Sequence, residues 1–197
     1  MKGYYLITDE NLSAAGIVHD AGQAIAERVR LIQYRNKSAA TRILFEEALE
    51  LKRMCAGSST RLIINDRVDI ALAVDADGVH IGQDDLPYDE TRRLLGKDKL
   101  IGITVHTLQE ACQAEAQGAD YLGVSPIYAT NTKTDAGQAC GLETLRAIRQ
   151  TCRKPIVAIG GITLTNLAEV LADGEQRRPG RYGQVVLIVL QHAGLQG

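Results

Sequence analysis

Short apolar runs rich in β-branched residues alternate with longer stretches whose apolar positions recur three and four residues apart, from one end of the chain to the other. The runs fall at residues 4–7, 30–34, 62–64, 78–81, 100–103, 121–124, 156–159 and 185–190. This alternation marks successive βαβ units on a parallel sheet, and eight of them predict an α/β chain folded as a (β/α)8 TIM barrel. At 197 residues the chain sits just below the usual ~200-residue minimum of that fold. Ser38 ahead of AATRILFEEALELKRM, Thr107 ahead of LQEACQAEAQ and Thr163 ahead of LTNLAEVLA are helix-capping residue types at the expected places. Gly118 stops the second of these helices. Residues 1–172 contain no repeat, linker or low-complexity segment, so one domain spanning 1–197 is expected.

Composition narrows the function. With 45% hydrophobic and 23% charged residues and a formal net charge of −2, the chain has no global basic field. Nucleic acid and anionic membrane surfaces are therefore excluded as expected partners, and any anion site must be local. The start, MKGYYLITDE, lacks the apolar core of a signal peptide, and no apolar run approaches the roughly 18 residues of a membrane span. A cytoplasmic location is expected. Cys55, Cys112, Cys140 and Cys152 are widely spaced without a C-x-x-C pair, which reads as reduced, mostly buried thiols rather than a zinc or redox site.

Candidate chemistry clusters where the predicted strands end. In LIINDRVDIALAVDADGVHIGQDD, Asp66 and Asp85 each follow an apolar run. On adjacent strands of a parallel barrel, acids so placed meet at one mouth, where two carboxylates suit Mg²⁺ and a phosphorylated ligand. Capping of the following helices is the competing role for both acids. Asn65 beside them could donate to a phosphate or a polar ring, and Asp84 is expected to face solvent.

In the run Gln33-Tyr34-Arg35-Asn36-Lys37, strand alternation turns Gln33, Arg35 and Lys37 to one side, which suits a diphosphate; an exposed basic strand exit reads equally well. The long polar loop from Ser125 to Gly137 offers Thr130, Thr132 and Lys133 to a phosphate and has the makings of a lid. Gly160 and Gly161 follow a strand and precede a helix, where backbone amides can meet phosphate. His80 reads as a packed, hydrogen-bonded interior residue. Thr104 could bind a polar ring, and His106 either orients loops or moves protons.

Taken in order, QYRNK, IINDRVDIALAVDADGVHIGQDD, IGITVHT, GADYLGVSPIYATNTKTDAG and KPIVAIGGIT resemble the motifs of the thiamine-phosphate synthase family and span most of residues 1–172. The resemblance implies a barrel enzyme that joins 4-amino-5-hydroxymethyl-2-methylpyrimidine diphosphate to a thiazole phosphate and releases diphosphate. It further implies Mg²⁺ on Asp66 and Asp85. The pyrimidine diphosphate would fall to Gln33, Tyr34, Arg35, Asn36, Lys37, Asn65, Thr104 and Lys133, with Arg35, Lys37 and Lys133 catalytic. Thr130, Asn131, Thr132 and Gly161 would take the thiazole phosphate.

After Leu171 the chain leaves that pattern. The family would continue with an AGADGVAVVSAI-like segment whose serine grips the thiazole phosphate, whereas here the sequence is ADGEQRRPGRYGQVVLIVLQHAGLQG, without that serine or a closing helix. Missing cover of this kind exposes apolar surface and leaves room for a homo-oligomer. Two other readings follow from the altered end: a non-catalytic binding protein for thiamine phosphates, and a thiazole tautomerase-like enzyme, which would need neither QYRNK nor the acid pair.

Overall fold

The computed structural model describes residues 4–130 and 137–174 and the backbone of 185–188. Eight parallel strands lie side by side in chain order: β1 (Tyr5–Ile7), β2 (Leu31–Tyr34), β3 (Arg61–Asn65), β4 (Gly78–Ile81), β5 (Leu100–Val105), β6 (Tyr121–Val124), β7 (Ile156–Ala158) and β8 (Val185–Ile188). Among the described residues seven helices alternate with them: α1 (Ile17–Ala26), α2 (Thr41–Cys55), α3 (Val68–Ala73), α4 (Tyr88–Leu95), α5 (Leu108–Gln117), α6 (Gly141–Thr151) and α7 (Leu167–Gly174). This is the expected (β/α)8 architecture. Among the described residues the ladder runs from β1 to β8, with no pairing of β8 to β1. The departure after Leu171 falls mostly on 175–184 and 189–197, outside the described residues, although the eighth apolar run does form a strand.

Period-two alternation divides the strand residues between two layers. Ile32, Leu62, Ile64, Val79, Ile101, Ile103, Leu122, Val124 and Ile156 face outward and merge with the helices in one large core. Tyr5, Leu31, Ile63, Tyr121 and Val157 form a second cluster inside the barrel. Both faces of the sheet are covered, which is why the strands read as nearly continuous apolar runs rather than as alternating ones.

Two glycines within strands make room for the inner layer. A Cβ at Gly102 would stand 2.0 Å from the Tyr121 ring, and one at Gly123 would stand 2.8 Å from His80 Cε1. The strand alternation thus places hydrogen, rather than a side chain, opposite two large rings.

Helix starts differ in part from expectation. Thr107 caps α5, its side chain accepting from Glu110 N, and Gly118 ends that helix in the left-handed conformation. Ser38 does not cap α2, which begins at Thr41 behind Ala40 without a side-chain cap. Asn36 Oδ1 instead accepts from Ala39 N and ties residues 36–39 into a turn that delays the helix. Thr163 likewise precedes α7 by a turn in which Asn166 Oδ1 accepts from Thr163 N. Of the cysteines, all free, Cys55 and Cys152 are buried, Cys140 is half-buried and Cys112 is exposed, so "mostly buried" overstates their burial. Among the described residues no helix is long and apolar enough to cross a membrane.

Gly102→Ala should destabilise the barrel by roughly 1–3 kcal/mol, the range for forcing extra volume into a packed interior. Chemical denaturation reads this as a lower midpoint, and an unchanged midpoint would mean that the Tyr121 ring has somewhere else to go.

Candidate active site

The C-terminal ends of the strands carry the polar residues, at the end of the barrel where enzymes of this architecture work. Backbone pairing sets Asn65 opposite His80, His80 opposite Gly102 and Thr104 opposite Gly123. Residues just past β3 and β4 are therefore neighbours.

Asp66 and Asp85 are brought together as the sequence predicts: they line one rim cleft, and each shifts the titration of the other. Asp66 has φ 59, a left-handed conformation uncommon outside glycine and asparagine or aspartate. Its Oδ2 takes Lys37 Nζ at 2.5 Å. Asp85 Oδ2 accepts from Gly82 N at 2.6 Å. Neither carboxyl caps a helix: α3 starts behind Arg67 and α4 behind Pro87, both without side-chain caps.

The two acids titrate apart. Burial works to raise Asp66, but hydrogen bonds from Lys37 and Asp85 and the Lys37 charge outweigh it and hold its pKa below the usual carboxylate range. Burial also raises Asp85, and there the hydrogen bond and negative charge of Asp66 prevail over the Gly82 N–H and Lys37, leaving its pKa elevated. Two like charges in contact cannot both ionise freely, so the pair is short of positive charge.

The QYRNK segment divides by alternation. Gln33 faces the barrel interior, 2% exposed, and its Nε2 donates to Tyr5 Oη at 2.7 Å. Arg35 Nη1 donates to Asp9 Oδ2 at 2.7 Å in a largely buried pair, and Thr8 Oγ1 binds both the N–H and the carbonyl of Arg35. Tyr34 and Asn36 turn the other way, both donating to Glu47 Oε2 on α2. Their side chains thus serve the strand–helix junction, while Tyr34, Asn36, Lys37, Asn65, Asp66 and Asp85 together line a cleft of about 300 Å³ at the rim.

Sequence reading missed Asp9 and Glu10. Asp9 holds Arg35 in place; Glu10 Oε1 accepts from Lys37 N, while its Oε2 is buried without a partner among the described residues. The available signal was their position, two acids directly behind the first apolar run. Gln83 was missed as well: exposed beside the equally exposed Asp84, it donates to the Thr104 carbonyl at 2.6 Å and ties the ends of β4 and β5 together.

His80 is the buried, hydrogen-bonded interior residue expected, 4% exposed and bonded to Tyr121 and Thr104. His106 is held at the start of α5, where Glu110 Oε2 accepts from its backbone N–H and lies 3.1 Å from Nδ1. That placement fits orientation of the loop.

Past β6, Ile127 N and Tyr128 N donate to the carbonyls of Ile159 and Gly160, so the loop bearing Thr130 leaves alongside the Gly160–Gly161 turn. Gly161 has φ 64, and a Cβ there would lie 2.7 Å from Tyr128 Cβ. Close approach and handedness both require glycine. Asn131, Thr132 and Lys133 lie outside the described residues.

At the opposite end of the barrel a larger cavity of about 720 Å³ is floored by the Lys52–Asp77 ion pair. Asp77 also accepts from Leu62 N, so its carboxylate is committed to joining strands.

Lys37→Ala should raise the pKa of both Asp66 and Asp85, because the ammonium lowers each. Stability drawn from the depressed Asp66 pKa is present above the unfolded carboxylate value of about 3.9 and fades as pH falls through the folded value, so the variant is the less stable protein above that pH and the difference closes as the solution is acidified. Carboxyl ¹³C titration checks this; unmoved midpoints would show that Lys37 does not set the charge of the pair.

Comparison with known proteins places this geometry. The family model described as thiamine monophosphate synthase matches residues 4–177. Thiamine-phosphate synthase of Chloroflexus aurantiacus is 54% identical over 172 residues, covering 86% of this chain and 79% of that protein. The enzyme of the same name from Methanosarcina barkeri is 47% identical over 171 residues, 87% of this chain and 77% of its own. The solved thiamine phosphate pyrophosphorylase of Pyrococcus furiosus superposes with a TM-score of 0.80 at 35% identity, over 94% of this chain and 85% of that one. An N-acetylmannosamine-6-phosphate 2-epimerase from Clostridium perfringens, at 15% identity and a TM-score of 0.63, shares the fold alone. With a family model spanning most of the chain and relatives near half identical over most of their own lengths, this chain belongs to the thiamine monophosphate synthase family.

Proposed function

We propose that the chain is a thiamine-phosphate synthase that transfers the pyrimidine-methyl group of 4-amino-5-hydroxymethyl-2-methylpyrimidine diphosphate to a thiazole phosphate, releasing diphosphate. The observation that carries the reading is the Asp66–Asp85 pair, short of positive charge beside Lys37 at the mouth of the barrel. Hard carboxylate oxygens lining one cleft fit Mg²⁺, which is commonly held by one or two carboxylates with substrate phosphates completing its shell. Among the described residues no cluster of three or more acidic, His or Cys side chains is present, so diphosphate oxygens and water would supply the remaining ligands. Mg²⁺ bound there would neutralise charge on the departing diphosphate.

The chain's own residues do the rest. The C–O bond between the pyrimidine methylene and diphosphate breaks, its electron pair leaving with diphosphate; the electron-rich aminopyrimidine stabilises the methylene cation, and the thiazole nitrogen forms the new C–N bond. No protein nucleophile is needed. Arg35 spends one N–H on Asp9 and keeps further donors for phosphate oxygens. Lys37 and Lys133 add point charges, and the family resemblance extends the pyrimidine diphosphate site to Gln33, Asn65 and Thr104. Tyr34 and Asn36, both engaged with Glu47, support the site from the α2 side. Thr130, Asn131, Thr132 and Gly161 are assigned to the thiazole phosphate by the family resemblance, and Tyr128 and Ala129, at the start of that loop, lie against Gly161.

Asp85→Ala or Lys133→Ala should lower turnover on the order of 10²-fold or more, typical of losing one well-placed electrostatic group. A chelator should abolish turnover and added Mg²⁺ restore it. The assay supplies both substrates: thiamine phosphate formation supports the synthase, binding without turnover the binding-protein reading, and isomerisation of the thiazole alone the tautomerase.

A further inference from the structure

Inside the barrel a line of hydrogen bonds joins two residues assigned above to the pyrimidine diphosphate, Gln33 and Thr104, through three that have no part in that assignment. Gln33 Nε2 donates to Tyr5 Oη at 2.7 Å, and Tyr5 Oη lies 2.9 Å from Tyr121 Oη. Tyr121 Oη is 3.0 Å from His80 Nδ1, and His80 Nε2 is 2.8 Å from Thr104 Oγ1. Five buried side chains from β2, β1, β6, β4 and β5 are thereby joined across the interior. The strands are built around this line, since Gly102 and Gly123 leave the space that the Tyr121 and His80 rings fill.

Counting protons gives the line a direction. An amide nitrogen only donates, so Tyr5 accepts from Gln33 and its own hydroxyl proton goes to Tyr121, its other partner. Tyr121 has then accepted, and its proton goes to His80 Nδ1. A ring nitrogen that accepts is bare, which puts the imidazole proton on Nε2, where it is donated to Thr104. Reversing either tyrosine link would leave a buried hydroxyl proton without an acceptor, and reversing the last link alone would leave the imidazole with no ring proton at all. Thr104 accepts from His80, and among the described residues nothing accepts its own hydroxyl proton. It stands on the inner face one residue from the end of β5, beside the mouth.

We propose that Tyr5, Tyr121 and His80 are positioning residues that fix one His80 tautomer and so present Thr104 to the mouth as a hydrogen-bond donor, selecting a ligand with an acceptor atom at that point. This rests on the synthase reading, in which the acceptor belongs to the pyrimidine diphosphate. Gln33 sets the polarity of the whole line, which gives its amide a role besides any contact with the ligand.

The direct test needs no substrate. Two-bond ¹H–¹⁵N correlation on ¹⁵N-histidine-labelled protein, with His80 assigned by its loss in His80→Gln, should show His80 protonated at Nε2 and bare at Nδ1. A proton on Nδ1 would overturn the proposal, because the line would then run backwards and Thr104 would spend its proton on Nε2. Kinetics supply the second test. Thr104→Val should lower kcat/KM about tenfold and Thr104→Ser restore it, as expected for one hydrogen bond. Tyr121→Phe should cause a similar loss alone but less than about twofold more in the Thr104→Val background, since the two act through one contact. Losses that multiply would assign Tyr121 a packing role and refute the relay. Absence of turnover in the unaltered protein would count against the synthase reading, and the tautomer would still decide the relay.

Discussion

Two carboxylates at the ends of neighbouring parallel strands cannot avoid each other, and the mouth of this barrel is arranged around that repulsion. The register of β3 against β4, Asn65 opposite His80, fixes Asp66 and the Gly82–Asp85 turn on the same rim. Lys37 arrives from β2 to neutralise one acid, while the other is left with an elevated pKa. On the proposed function, it is this shortage of positive charge that would draw a cation and, through it, a phosphorylated ligand.

Around this pair the other charges are immobilised. The Arg35–Asp9 pair has side chains 13% and 10% exposed, and at that depth loss of one partner leaves an uncompensated charge, a cost of about 3–5 kcal/mol. Thr8 clamps the Arg35 backbone from β1. The guanidinium is therefore oriented before any ligand arrives, so little ordering entropy is lost on binding. Gln83 likewise bridges the ends of β4 and β5. The mouth is a frame of strand ends fastened to one another by side chains.

Much of this is legible in the sequence because period-two alternation and chain order carry so much of a parallel barrel. The eight runs appear as eight strands, with ends moved by one or two residues where Arg61, Asn65, Thr104 and Val105 extend a ladder that apolarity alone would have stopped. Asp66 and Asp85 were found because their meeting follows from consecutive strands. Asp9 and Glu10 escaped because an acid that partners a basic residue twenty-six positions away leaves no local pattern. Ser38 and Thr163 misled for the opposite reason: Asn36 and Asn166 accept from Ala39 N and Thr163 N and fold the residues ahead of each helix into a turn, so the helices begin later. The inner hydrogen-bond line, drawn from five strands, was visible only as single polar residues in apolar runs.

The void at Gly102 has a consequence for how such a sequence can change. Because a methyl group at that position and the phenol of Tyr121 would claim the same space, position 102 is not free to grow alone: bulk must be surrendered on one strand before it can be taken up on the next. The ring that spans the lumen, once in place, bars its neighbour from acquiring a side chain.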